Sequence, residues 1–331
     1  MAQEIAAVLL SLALWVTPHM ASAADRLVGV HSARVMSQSM PWIAEQAGLF
    51  RKYDVEFRLV YIGSSPLATA AMLGGDGELL MDGGLGIVRA YVQGNTELIC
   101  IGGQKNILTQ SILAKPPIKR LEDLRGKKVG VTRIGSTTHY FATEAFRRIG
   151  MEAGRDYTVI QTGGAPEMLA ALTSGAIEGG TLAPPLDAQA IAQGFQYVVY
   201  GPDLRIPQVA VAFMTRRSTL AKRPEVLGRF MRAMAEAAKI LHTDKEFTFK
   251  VLSKELRITE RKTLEAGYNA EIKVLEPRLA IRPEAFQSIL DDVARSDARA
   301  KKIKPVDFID RRFLEEMTNS GFFAKLWGEK S

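Results

Sequence analysis

The chain has 331 residues, 47% hydrophobic and 24% charged, with a net charge of +7. This is ordinary globular composition, long enough for two domains of about 100–200 residues each. Lys and Arg are spread along the chain with no run of five like charges, which excludes a basic tail and makes nucleic acid an unexpected partner.

Residues 5–16, IAAVLLSLALWV, form an apolar run too short for a membrane span, which needs about 20 residues. Pro18 and the small residues at 21–23 follow it. Residues 1–23 therefore read as a secretory signal peptide with cleavage expected after Ala23, so the mature protein is expected to be secreted. The first residues depart from the usual pattern, carrying Glu4 and no Lys or Arg.

The next stretch contains a repeat. VYIGSSPLATAAMLGGDGE (60–78) aligns without gaps on IQTGGAPEMLAALTSGAIE (160–178), and VGV at 28–30 matches VGV at 129–131. Each half reads strand, polar loop, helix, strand, Gly-rich loop, Pro-started helix, strand. Strands alternating with helices imply parallel βαβ units, hence two similar α/β lobes. In GSSP, Ser65 caps a helix with Pro66 at its first position. Gly163 and Gly164 precede Pro166 in the same way, and Ser136, Thr137 or Thr138 caps the helix after VTRIG. Each loop aims free backbone N–H groups and a positive dipole end at the C-terminal edge of a parallel sheet, where ligands bind in open α/β folds.

Catalytic signatures are missing. There is no P-loop, HExxH, CxxC or G-x-S-x-G, and GGLGIVR (83–89) lacks the last glycine of a dinucleotide fingerprint. His19, His31, His139 and His242 have no metal-ligand spacing, so neither metal nor cofactor is expected. Cys100, the single cysteine, lies in the strand-like run ELICIGG (97–103) and reads as a buried, inert thiol. From about residue 215 the pattern is helical. Val226, Leu227, Phe230, Met231, Met234 and Leu241 share one face over 224–242, as do Phe286, Ile289, Leu290 and Val293 over 283–302. These positions predict a helical layer packed on one lobe.

Three stretches carry a family resemblance: PWIAEQAGLFRKYDVEFRLVYIGSSPLATAAMLGGDGEL (41–79), IKRLEDLRGKKVGVTRIGSTTHY (118–140) and GGAPEMLAALTSGAIEGGTLAPP (163–185). The chain resembles periplasmic solute-binding proteins of ABC importers in the nitrate/sulfonate/taurine class, which includes relatives that bind thiamine-pyrimidine precursors. It departs from that pattern with Glu78 and Glu178 where Asp is usual, and with Asp54 where glycine is common.

The resemblance implies an α/β, two-lobed periplasmic-binding-protein (Venus flytrap) fold of type II, with mixed sheets flanked by helices and a helical C-terminal layer. Crossings expected near 111–115 and 211–215 make lobe one of 25–112 plus 213–331 and lobe two of 113–212. The function implied is capture of a small organic anion, sulfonate- or carboxylate-like, by a monomer that delivers it to a membrane permease and its ATPase. Lobe one offers Ser32, Arg34, Ser64, Ser65, Asp82 and Gly83. Lobe two offers Arg133, Ser136, Thr137, Thr138, Gly163, Gly164 and Pro184. Arg34 or Arg133 is the candidate counter-charge, with a plain surface role as the alternative for each, whereas Asp82 suits a ligand amine or hydroxyl. Two alternatives share the fold: a cysteine-dependent desulfinase-like enzyme using Cys100, and a ligand sensor subunit.

Overall fold

The computed structural model describes residues 24–329, so the segment read as a signal peptide lies outside the described residues. In chain order the strands are β1 (Asp25–His31), β2 (Val55–Tyr61), β3 (Leu79–Asp82), β4 (Leu98–Ile107), β5 (Ser111–Ala114), β6 (Lys128–Val131), β7 (Thr158–Gln161), β8 (Gly179–Leu182), β9 (Gln196–Val199) and β10 (Pro207–Arg216). They form two five-stranded sheets, ordered β2-β1-β3-β10-β4 and β7-β6-β8-β5-β9. In each sheet the first three strands are parallel and the fourth runs against its neighbours. This is the mixed α/β architecture expected.

The chain passes between the sheets at 108–110 and 200–206, earlier than the sequence predicts. β5 pairs Ser111 with Leu182 inside the second sheet, and β10 pairs Ala212 with Asp82 inside the first. SILA and VAVAF are buried apolar runs, which belong inside sheets. The crossings fall instead at the shorter polar or irregular stretches just before them. Residues 207–212 therefore pair with the first sheet, and Ser111 and Ile112 with the second.

Strand register also corrects the repeat. Gly29 faces Leu59 across the first sheet, and Val129 faces Val159 across the second. The halves therefore superpose at an offset of one hundred throughout, and the VGV match is one residue out. A one-residue slip turns a side chain to the opposite face of the sheet. Accordingly, a Cβ on Gly29 would overlap the Phe57 ring, whereas one on Gly130 would overlap Ile177 beneath the helix Ala165–Ser174. Other repeated features hold their places. Gly75 and Gly175 both end their helices in the left-handed conformation that glycine adopts without strain. Glu78 accepts from the Val28 N–H and Glu178 from the Lys128 N–H, so each glutamate ties its own lobe's first parallel strand to the start of the third. Asp54, replacing a usual glycine, sits at φ +51°.

The C-terminal helices build on the first sheet. All six face residues of Pro224–Thr243 are buried, as are the four of Pro283–Val293. The second helix ends at Val293, before the expected 302, and a 3₁₀ turn at Ala298–Lys302 follows, started by the Asp297 cap. The layer is not confined to one lobe. Helix Arg261–Glu271 packs on helix Leu186–Ala192 of the second, and a Cβ on Gly267 would lie 2.5 Å from Pro185 Cβ. Among the described residues, no helix is long and apolar enough to cross a membrane.

Candidate functional site

Parallel strands direct their C-terminal ends, and the helices that follow them, toward one edge of each sheet. The two such edges face each other here. Helices Ser65–Gly74, Gly84–Val92, Thr137–Arg147 and Ala165–Ser174 begin around a cavity of about 60 Å³. This is several times the roughly 10–15 Å³ needed to admit a single water, room for a small solute. Of the sequence candidates, Ser32, Ser64, Ser65, Asp82, Thr137 and Thr138 line it, joined by Ser37, Gln38, Lys105, Gln110, Thr132 and Thr181.

Asp82 ends β3 and is 1% exposed. Its Oδ1 accepts from Ser32 Oγ at 2.6 Å, Ser65 Oγ at 2.8 Å and the Gly83 N–H at 2.7 Å. Gln38 Nε2 in turn donates to Ser32 Oγ at 3.1 Å. Asp82 Oδ2 has no partner. Burial outweighs these hydrogen bonds and pushes the carboxyl up to about 6. An unpaired buried polar atom costs roughly 1–3 kcal/mol, so this oxygen gains from any donor that enters. Ser64 Oγ, Gln110 Oε1 and Thr181 Oγ1 are likewise buried without partners and line the same space.

Lys105, 1% exposed, is the cation of the cavity wall. It donates to Glu271 Oε1 at 2.6 Å, Thr109 Oγ1 at 2.8 Å and Ser37 Oγ at 3.3 Å. Thr109 donates to the same Glu271 oxygen at 2.5 Å. This buried cluster ties β4 and the first crossing to the end of helix Arg261–Glu271.

The remaining sequence candidates sit elsewhere. Arg34 donates to the Glu255 carbonyl and lines a separate groove with His31, Trp42 and Tyr61. Arg133, in the loop after β6, is not among the cavity-lining residues. Neither candidate arginine thus lines the cavity, and Arg34 turns instead to the Glu255 carbonyl. Ser136 is a helix cap: its Oγ accepts from the His139 N–H at 3.2 Å and shares a 2.9 Å hydrogen bond with Thr138 Oγ1. Gly83, Gly163, Gly164 and Pro184 form the surrounding loops rather than the wall. Gly83 approaches the second lobe so closely that a Cβ would lie 2.6 Å from Thr137 Oγ1, and the Met36 N–H donates to Pro184 O at 3.3 Å. These contacts bring the two lobes together beside the cavity.

Cys100 is fully buried in β4 and is not among the cavity residues. Burial pushes its thiol up to about 12, which suppresses the thiolate that nucleophilic chemistry needs.

The NMT1-like family model matches residues 35–253. No curated protein matches the chain. The fold is shared with solved structures of low sequence identity. The alkanesulfonate-binding protein SsuA from Xanthomonas axonopodis pv. citri, bound to MOPS, superposes with a TM-score of 0.72 at 16% identity, covering 87% of this chain and 98% of that one. The periplasmic nitrate-binding protein NrtA from Synechocystis PCC 6803 gives 0.72 at 14%, covering 91% and 90%. A cysteine-to-serine mutant of DszB in complex with biphenyl-2-sulfinic acid gives 0.66 at 14%, covering 90% and 99%.

Proposed function

The chain belongs to the NMT1-like family, and from that premise we propose that it is the extracytoplasmic solute-binding component of an ABC import system. It captures a small polar solute between its lobes, closes over it by bending at 108–110 and 200–206, and presents the closed form to a membrane permease with its ATPase. The observation that carries this reading is the cavity itself. Both sheets contribute walls, contacts between lobes flank it, and its lining residues carry buried polar atoms without partners. Closure around a ligand is the characteristic motion of two lobes joined by short crossings. Structural relatives whose names describe sulfonate and nitrate binding agree with a gripping role. The desulfinase-like alternative finds no support in Cys100, which lies away from the cavity with its thiolate suppressed.

The test is native mass spectrometry of the protein purified from the periplasm, paired with thermal-shift screening. A solute retained through purification, whose readdition raises Tm, is the expected result. A protein that retains nothing and shifts with no small molecule overturns the reading.

A further inference from the structure

The cavity wall holds two charged side chains, Asp82 and Lys105, and they differ in what they have left to offer. An ammonium has three donors. Lys105 directs three hydrogen bonds to Ser37, Thr109 and Glu271, so none remains for a ligand. Asp82 receives all its hydrogen bonds on Oδ1 and leaves Oδ2 bare. Gln110 Oε1, at the first crossing, is also bare. Among the lining side chains, the buried atoms left without partners are thus two acceptors and the adaptable hydroxyls of Ser64 and Thr181. An anion in this space would set its oxygens against Asp82 Oδ2 with no spare cation to offset them.

Resting on the assignment of this cavity as the ligand site, we infer that the solute is a donor: a small amide-, amidine- or amine-bearing molecule whose N–H groups meet Asp82 Oδ2 and Gln110 Oε1. The helix start at Thr137 faces the opposite side and takes an acceptor atom of the same solute, such as a carbonyl oxygen.

The experiment compares the ligand-stripped wild-type protein with Asp82→Asn by thermal shift and calorimetry. One probe set is acetamide, urea, acetamidine and guanidinium; the other is nitrate, acetate and methanesulfonate. The expected result is a crossover. N–H probes raise the wild-type Tm and bind Asp82→Asn about ten- to a hundredfold more weakly, while anions gain on the variant, whose amide turns a donor into the cavity. Gln110→Leu leaves the Ser32–Asp82–Ser65 cluster intact, and is expected to weaken N–H probes about tenfold. It decides the matter should Asp82→Asn not melt cooperatively, unchanged affinity counting against the inference. Wild-type binding of the anion set alone overturns the donor inference and leaves the cavity assignment standing. Silence of both sets also overturns it, and a solute seen by native mass spectrometry then separates that failure from failure of the cavity assignment.

Discussion

At positions one hundred residues apart, the first half of the repeat carries Ser32, Ser65 and Asp82, and the second carries Thr132, Ala165 and Leu182. The first set is a buried hydrogen-bonded network around a carboxylate. In the second, Ala165 and Leu182 pack in the apolar cluster beneath the second sheet. Features that set the backbone are shared: Glu78 and Glu178 at the strand starts, Pro66 and Pro166 at the helix starts, Gly75 and Gly175 at the helix ends. Repetition therefore supplies the frame, and the acidic centre belongs to one lobe alone. The cavity therefore has two unlike walls.

The largest break in this comparison comes from making the halves chemically alike. Leu182→Asp would bury a carboxylate at a site 0% exposed, with Ala165 where Ser65 donates in the other lobe. The expected loss is about 3–5 kcal/mol or more in urea unfolding. A loss below 1 kcal/mol would mean that the second lobe tolerates a charge as the first does.

The next prediction concerns pH. Asp82 has its carboxyl raised from 3.8 to about 6, so the unliganded fold binds its proton more tightly than the unfolded chain. That contribution is present below pH 4 and is lost as pH rises through 6. At 1.36 kcal/mol per pH unit it amounts to about 3 kcal/mol. Asp82→Asn should therefore gain stability relative to wild type between pH 4 and pH 7 by an amount of that order, read from paired denaturation curves. Asp187, also raised to about 6 chiefly by burial, gives both proteins a common background slope. Parallel wild-type and variant curves would exclude Asp82 as the source.

A smaller effect tests the corrected register. Val30 and Gly130 are equivalent, and a side chain at Gly130 runs into Ile177. Gly130→Val should cost about 1–3 kcal/mol through overpacking, and Ile177→Gly, which restores the pattern of Val30 over Gly77, should recover part of it. Full additivity of the two losses would argue against the register. The smallest effect is expected from Glu178→Ala, about 1 kcal/mol for the lost bond to Lys128 N. Glu78→Ala should cost more, since Glu78 also pairs with Arg223.

Much of this was legible before any coordinates. Short hydroxyl and carboxylate side chains directly after a parallel strand have little choice but to lie at the ligand edge, and Ser32, Ser65 and Asp82 do so. Arg34 was not legible, because a long side chain can turn from that edge, as it does to reach the Glu255 carbonyl. Lys105 was missed for a different reason. Its partner Glu271 is 166 residues distant, and nothing local announces such a pairing. The one available signal was the polar QKN run (104–106) ending an otherwise apolar strand just before the first crossing. The crossings themselves were misplaced because apolar runs such as SILA look alike whether they join lobes or sit within a sheet.

Helix Arg261–Glu271 is tethered to the first lobe through Glu271 and Lys105, yet Gly267 rests against Pro185 of the second. Parting the lobes therefore means unseating that contact as well as emptying the cavity. Under the proposed closure, the helix would act as a catch whose grip helps set the fraction of empty protein already shut. Apparent affinity varies with the fraction of molecules in the binding-competent state. On the proposed binding function, Gly267, which does not line the cavity, would join the residues that set how firmly a solute is held.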